Sequence, residues 1–213
     1  MANPNFAALP DTIFDVMSGL ARAHQAVNLG QGFPDDPGPA HVRAKAADAV
    51  LNGYNQYPAM TGLPELRQAV ARHYERTQGL DLDWASQVTV TSGATEALAA
   101  SFLALLSPGD EAVLFQPVYD SYAPIIRQAG AVPILARLEP PHFRWDRAML
   151  EGLFSARTKV VALNNPLNPA AIVYGEEDLA LLSEFCVRFD AVAVCDEVWE
   201  EVVFDGRGHR PLM

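Results

Sequence analysis

From residue 87 onward the chain alternates short apolar runs with longer stretches of helical period, and few folds accept that order. The runs are Val88-Thr89-Val90, Ala112-Val113-Leu114-Phe115, Val132-Pro133-Ile134-Leu135, Val160-Val161-Ala162-Leu163 and Ala191-Val192-Ala193-Val194-Cys195. Helical patterns fill the intervals at 94–106, 119–129, 146–154 and 176–189, the last with Leu179, Leu182, Phe185 and Cys186 on one stripe. A strand that is apolar on both faces needs cover on both, and a helix between successive strands provides the crossover. The order therefore predicts an α/β domain, a mostly parallel sheet with helices on both faces. Further helical patterns precede it at 12–23, 39–51 and 64–76. The Pro- and Gly-rich stretch 28–39 cannot be a helix interior and reads as an arm or irregular loop.

Composition narrows the classes of function. The 213 residues are half apolar and 19% charged, enough to bury a sizeable core. A formal charge of −11 argues against nucleic acid or an anionic membrane as partner. Cys186 and Cys195 stand in apolar surroundings with no CxxC spacing, so they read as buried reduced thiols rather than a disulfide or metal ligands. The amino terminus lacks a signal peptide's basic start and apolar run, and no apolar stretch nears the roughly 20 residues of a membrane span. The expectation is a soluble, cytoplasmic protein with no bound metal.

Ligands of open α/β sheets bind outside the carboxyl ends of the strands. After the first apolar run, Thr91-Ser92-Gly93-Ala94-Thr95-Glu96 opens directly into a helix whose free N–H groups suit an anion such as phosphate; taken alone, a helix start capped by Ser92 or Thr95 is the simpler reading. After the second, Tyr119 sits where it can stack on a planar ligand or simply pack. After the fourth, the Asn-Pro steps of Asn164-Asn165-Pro166-Leu167-Asn168-Pro169 enforce a stiff, non-helical turn. The last run ends in Asp196, a carboxylate on a wholly apolar strand, which calls for a cationic partner: an arginine, a metal or a protonated ring nitrogen. The chain has neither the GxxxxGK[ST] of a P-loop nor a GxGxxG after a strand, which disfavours nucleotide triphosphates and nicotinamide cofactors.

Six ordered motifs carry a resemblance: residues 28–35 (NLGQGFPD), Asn55-Gln56-Tyr57 followed by Gly62-Leu63-Pro64-Glu65-Leu66-Arg67, Ser92-Gly93-Ala94-Thr95-Glu96-Ala97, Pro117-Val118-Tyr119, Asn168-Pro169 and Asp196-Glu197-Val198. With them the chain resembles the N-terminal half of a class I/II aminotransferase of pyridoxal phosphate fold type I, in the branch of the methionine and kynurenine aminotransferases. The resemblance implies that Gly93, Ala94 and Thr95 cradle the phosphate of pyridoxal 5′-phosphate and that Tyr119 stacks on its ring. It implies that Asn168 bonds the ring hydroxyl oxygen and that Asp196 pairs with the protonated ring nitrogen. Gly32 matches the arm glycine that lies against the substrate carboxylate. Tyr57 matches a tyrosine that reaches the neighbouring subunit's phosphate, which implies a homodimer. The implied substrates are an amino acid and a 2-oxo acid, with Phe33, Tyr54, Tyr122 and Trp199 compatible with a methionine-type or aromatic donor. The implied division is 1–38, an arm and small-domain part, and 39–213, an incomplete large cofactor-binding domain.

Three departures stand out. Trp199 replaces a tyrosine of the family, and Asn168-Pro169-Ala170-Ala171 replaces Asn-Pro-x-Gly. The lysine that anchors the cofactor is missing: thirteen of the fifteen basic residues are arginines, and the two lysines, Lys45 and Lys159, fall on an N-terminal helix and at the start of a strand. No catalytic residue is therefore assigned, and the expectation is a truncated, inactive portion of an aminotransferase. The alternatives are a non-catalytic cofactor-binding or dimerisation module, and a C–S β-lyase of the same fold.

Overall fold

The computed structural model describes residues 3–7, 9–32, 36–53 and 55–212. Residues 33–35 of the expected loop and Tyr54 lie outside the described residues. The chain divides into two compact units, residues 1–63 and 64–213.

The first unit carries α1 (Pro4–Ala7), α2 (Ile13–Ala23) and α3 (Ala40–Asn52). Helix α2 starts where Thr12 Oγ1 accepts the Asp15 backbone N–H at 3.1 Å. The chain beyond it turns on Asn28, whose Oδ1 accepts the Gly30 N–H at 3.0 Å. That turn brings Gly30 so near α2 that a Cβ there would stand 2.7 Å from Met17 Cβ, so the glycine answers a close approach.

The second unit runs α4 (Pro64–Gln78), α5 (Trp84–Gln87), α6 (Gly93–Leu105), β1 (Glu111–Gln116), α7 (Tyr122–Gln128), β2 (Val132–Arg137), α8 (Arg147–Leu153), β3 (Thr158–Asn164), α9 (Glu176–Phe189) and β4 (Val192–Asp196). The four strands form one parallel sheet in the order β2-β1-β3-β4. Pro133, which has no N–H to give, sits on the edge strand β2.

The period of two along the strands sorts their side chains onto two cores. Val113, Phe115, Val161 and Leu163 pack with Leu150 of α8 and Leu179, Leu182 and Phe185 of α9. Ala112, Leu114, Val160 and Ala162 pack with Leu98 and Phe102 of α6 and Tyr122, Ile125 and Ile126 of α7. Both faces are thus covered, as the apolar runs require; each fully buried Leu, Ile or Phe contributes about 1.5–3 kcal/mol. The chain leaves β1 through α7 on one face and leaves β3 through α9 on the other. The crevice between the carboxyl ends of these adjacent strands is the topological switch point, where such sheets bind ligands.

One expected strand is absent. Val88 has extended dihedrals (φ −119°, ψ 125°), but the run Val88-Thr89-Val90 joins no ladder. Arg67 of α4, itself buried, takes the carbonyl instead: Nε donates to Val88 O at 2.7 Å and Nη2 to Ala85 O at 2.8 Å. An extended segment becomes a strand only when a neighbouring strand pairs with its backbone, and among the described residues none pairs with this one. The helix expected from 119 starts at Tyr122, leaving Tyr119 on the connection after β1.

At the opposite, amino edge of the sheet, buried Glu111 accepts the Ser155 hydroxyl at 2.5 Å and Arg157 Nε at 2.9 Å. The Ser155 hydrogen bond first, and then Arg157, hold its carboxyl below the ordinary glutamate value against the opposing effect of burial. A depressed folded-state value means that the stabilisation is present above about pH 4.5 and is lost as the pH falls below it. Glu111→Gln is expected to cost about 1–2 kcal/mol at pH 7. Urea unfolding across a pH series should show this difference shrinking toward pH 3.

Candidate active site

The site is built from the register of β3 and β4. Parallel pairing sets Asn164 directly beside Asp196 at the carboxyl ends of both strands. The Asp196 carbonyl accepts from Asn164 Nδ2 at 2.9 Å and from the Asn165 N–H at 3.1 Å. Asn164 then reaches forward, its Oδ1 accepting the Asn168 N–H at 2.9 Å. Asn165, 1% exposed, accepts the Tyr174 N–H at 3.0 Å and donates to the Arg210 carbonyl at 3.3 Å. The two asparagines that precede the turn therefore tie Asn168 to the strand that carries Asp196.

Beyond Asn168 the chain folds back, with Ala171 N–H donating to Leu167 O at 2.9 Å and Leu167 N–H to Ile172 O at 2.8 Å. Ala171 holds φ +55°, in the left-handed region. This is the position where the resembling family has glycine, and the turn survives with an alanine in a conformation that costs an L-residue about 1–2 kcal/mol.

The Asp196 side chain faces α7. Its Oδ2 accepts the Tyr122 hydroxyl at 2.5 Å and its Oδ1 accepts the Val198 N–H at 3.2 Å. Burial first, and then the Asp196 carboxylate, push the Tyr122 hydroxyl well above the ordinary phenol range, so it remains a donor at any ordinary pH. Among the described residues, the side-chain contacts of the Asp196 carboxylate are a phenol and a backbone N–H. Tyr122 was legible in the sequence only as an aromatic neighbour. The signal for its role is the Tyr119-x-x-Tyr122 spacing, which puts both rings at one helix start, 5.9 Å apart and edge to face. Tyr119, 45% exposed, lines a narrow cleft with Tyr122, Asn164 and Leu167 between the ends of β1 and β3.

A larger cavity of about 390 Å³ opens on the other side of the turn, lined by Asn168, Pro169, Trp199, Phe204 and Arg207. Trp199 stands on the turn after β4, with its carbonyl accepting the Val202 N–H at 2.8 Å.

Gly93, Ala94 and Thr95 form the exposed first turn of α6, which packs on α7, β3 and β4. Gly93 holds φ +80° with open space where a Cβ would point. Ser92 makes no side-chain cap; instead its backbone N–H donates to the Glu96 carboxylate. The Gly93 N–H donates to the Thr91 carbonyl at 2.9 Å; the N–H groups that follow, of Ala94 and Thr95, have no intrahelical partner at a helix start, which leaves them a fit for an anion.

The structure thus links Tyr119, Asp196, Asn168 and Trp199 around one sheet edge, with Gly93, Ala94 and Thr95 on a helix that covers it. Gly32 and Tyr57 belong to the first unit, where Tyr57 is fully exposed. Lys159 is the second residue of β3, five residues before Asn164 and so about 16 Å away along the strand. Lys45 lies on α3 of the first unit. These groups suit a phosphorylated, protonated pyridine: an anion cradle, an aromatic face and a carboxylate held with a fixed orientation.

Comparison with known proteins gives the same direction. Residues 24–212 match the family described as aminotransferase class I and II. The chain is 45% identical to the methionine aminotransferase of Escherichia coli over 96% of its own length and 53% of that protein's. It is 43% identical to a probable N-succinyldiaminopimelate aminotransferase of Mycobacterium tuberculosis, over 94% of this chain and 51% of the relative. The solved E. coli structure, YbdL, described as having a methionine aminotransferase function, superposes with a TM-score of 0.94 at 44% identity, covering 99% of this chain and 55% of that one. The chain spans about half the length of the curated relatives it matches.

Two substitutions test the turn. Ala171→Gly relieves the left-handed strain and should raise stability by about 1 kcal/mol in chemical denaturation. Asn164→Ala removes the bracket on both sides and should lower it by about 1–2 kcal/mol.

Proposed function

Since the chain belongs to the class I and II aminotransferase family, we propose that it forms the cofactor-binding part of an enzyme that moves an amino group from a methionine-type or aromatic amino acid to a 2-oxo acid. The family depends on pyridoxal 5′-phosphate, which when bound supplies an electron sink for the charge left as the substrate's α-proton departs. The observation that carries the reading is the Asp196 carboxylate, fixed at the end of β4 by Tyr122 and by the Val198 N–H.

In this reading each residue has a defined task. Asp196 faces the protonated ring nitrogen and keeps the proton there, and Tyr122 holds the carboxylate's second oxygen so that it cannot rotate away. Asn168, presented by Asn164, donates to the ring hydroxyl oxygen. Tyr119 covers the ring face and excludes water from it. The backbone of Gly93, Ala94 and Thr95 cradles the phosphate, with Gly93 leaving room for it and the Ala94 and Thr95 N–H groups donating. Trp199 stands where the family has a tyrosine and offers an indole N–H in place of a phenol. Gly32 contacts the substrate carboxylate, and Tyr57 reaches the phosphate of a second subunit in a homodimer. Residues 1–38 are the arm and small-domain part and 39–213 the cofactor-binding part, although the compact unit observed begins at Pro64.

The working compartment in this reading is the cytoplasm. In keeping with that, both thiols are free, and burial pushes Cys186 to about 11 and Cys195 to about 12, so they stay protonated and unreactive. Among the described residues no helix is long and apolar enough to cross a membrane. Lys159 stands at the amino end of β3, away from the carboxyl edge, and Lys45 on α3 of the first unit; in this reading the stretch by itself binds the cofactor without a covalent anchor and does not turn over.

Titration with pyridoxal 5′-phosphate, followed by equilibrium dialysis, tests this. Asp196→Ala should weaken binding by about 10-fold or more, the loss of a charge-assisted pair, and Tyr122→Phe by a smaller factor. Equal affinity in Asp196→Ala sinks the assignment. Borohydride-trapped cofactor on a lysine, or transamination by this stretch alone, sinks the inactivity.

A further inference from the structure

Away from the sheet edge, the segment that follows Asp196 meets α4 in a partly buried cluster of two carboxylates and two imidazoles that the proposed chemistry does not use. Glu197, Glu200 and His209 place one ligand atom each within 4.8 Å of one another. Their side chains are 13%, 21% and 6% exposed. We propose that these three residues bind a divalent transition-metal ion, with water completing its coordination, and that the ion clips the chain after β4 to the stretch around residue 209.

The geometry of His209 carries the argument. Its Nε2 stands 3.0 Å from Glu197 Oε1, yet neither ring nitrogen makes a hydrogen bond. An imidazolium paired with a carboxylate aims its N–H at the oxygen, and a buried imidazole that aims at nothing is costly. Two atoms that share an ion stand in another relation. Each lies about 2.0–2.2 Å from the metal and hence about 3.0–3.5 Å from the other, according to the ligand–metal–ligand angle, with both lone pairs directed at the ion rather than at each other. His209 and Glu197 have that spacing without the hydrogen bond.

The surroundings orient the carboxylates. Gln78 Nε2 donates to Glu200 Oε2 at 2.6 Å and to Glu197 Oε2 at 3.4 Å. His73 Nε2 lies 3.0 Å from Glu200 Oε1, and its Nδ1 faces Arg76 Nη2 at 3.4 Å. Arginine can only donate, which leaves the His73 proton on Nε2 and makes that atom a donor to Glu200. His73 and Gln78 therefore act as outer partners that fix the ligating groups, as metal sites require. The ion-pair partners of Glu197 and Glu200 are histidines, and among the described residues no lysine or arginine pairs with either carboxylate. An imidazole among carboxylates selects Zn²⁺ or a neighbouring transition ion over Mg²⁺ and Ca²⁺, which prefer oxygen alone.

The test uses chelator-stripped protein titrated with Zn²⁺ by calorimetry, with Mg²⁺ as control and Co²⁺ as a spectroscopic probe. One Zn²⁺ per chain, a rise in Tm with Zn²⁺ and none with Mg²⁺ are expected. His209→Leu and Glu200→Gln should each weaken binding by about 100-fold, and His73→Asn by about 10-fold. Should a variant fail to fold, X-ray absorption of the Co²⁺-loaded wild-type protein decides: a mixed nitrogen and oxygen shell that includes imidazole supports the site, and an all-oxygen shell overturns it. Absence of Zn²⁺ binding, or binding unchanged in His209→Leu, also overturns it.

Discussion

Parallel pairing of β3 with β4 sets Asn164 beside Asp196, and the rest of the candidate site follows from that register. Because strand side chains alternate in direction, a slip of one residue would turn every apolar side chain of β4 to the wrong face and move the carboxylate off the edge. The register is secured at its end by the amide of Asn164 and the N–H of Asn165, both given to the Asp196 carbonyl. The same Asn164 then holds the N–H of Asn168. One strand end thus fixes the heights of Asp196 and Asn168 together.

The two cores make that edge rigid. Tyr122 belongs to the core between the sheet and α6 and α7, with its ring 5.9 Å from Phe102 and its hydroxyl on Asp196. Tyr174 belongs to the core on the other face, where its ring packs at a tilt against Trp145 with ring centres 4.4 Å apart and its N–H donates to Asn165 Oδ1. Each face therefore sends one tyrosine to the carboxyl edge, and the site is braced from both sides of the sheet. Such bracing is what keeps a carboxylate oriented toward a developing or fixed charge without reorganisation.

Much of this could be read along the chain, and the failures have physical causes. Four of the five apolar runs are strands, because a run apolar on both faces fits little but a covered sheet. Val88-Thr89-Val90 has the composition of a strand, but Arg67, from 21 residues earlier, occupies its carbonyl. The departure Ala170-Ala171 leaves the turn intact: the fold-back hydrogen bonds at Leu167 are strong enough to hold Ala171 in a left-handed conformation. The desolvated carboxylate of Asp196 was legible as a group in need of a partner, but the partner was not, since Tyr122 lies 74 residues away. The pairing of Glu200 with His73 spans 127 residues and leaves no local signal.

By itself the sequence determined the alternation of strand and helix, the sidedness of each strand and the kinds of group delivered at the strand ends, because side-chain period and covalent order are local properties. Only the tertiary structure decided which of those groups meet. The order β2-β1-β3-β4 departs from chain order, and it is this departure that opens the crevice between β1 and β3. It also brings a tyrosine from the start of α7 onto the carboxylate of β4, and two histidines onto the glutamates that follow it. Such meetings depend on how the layers pack in three dimensions, and hydrophobic burial summed over the whole sheet selects that packing, not any one segment.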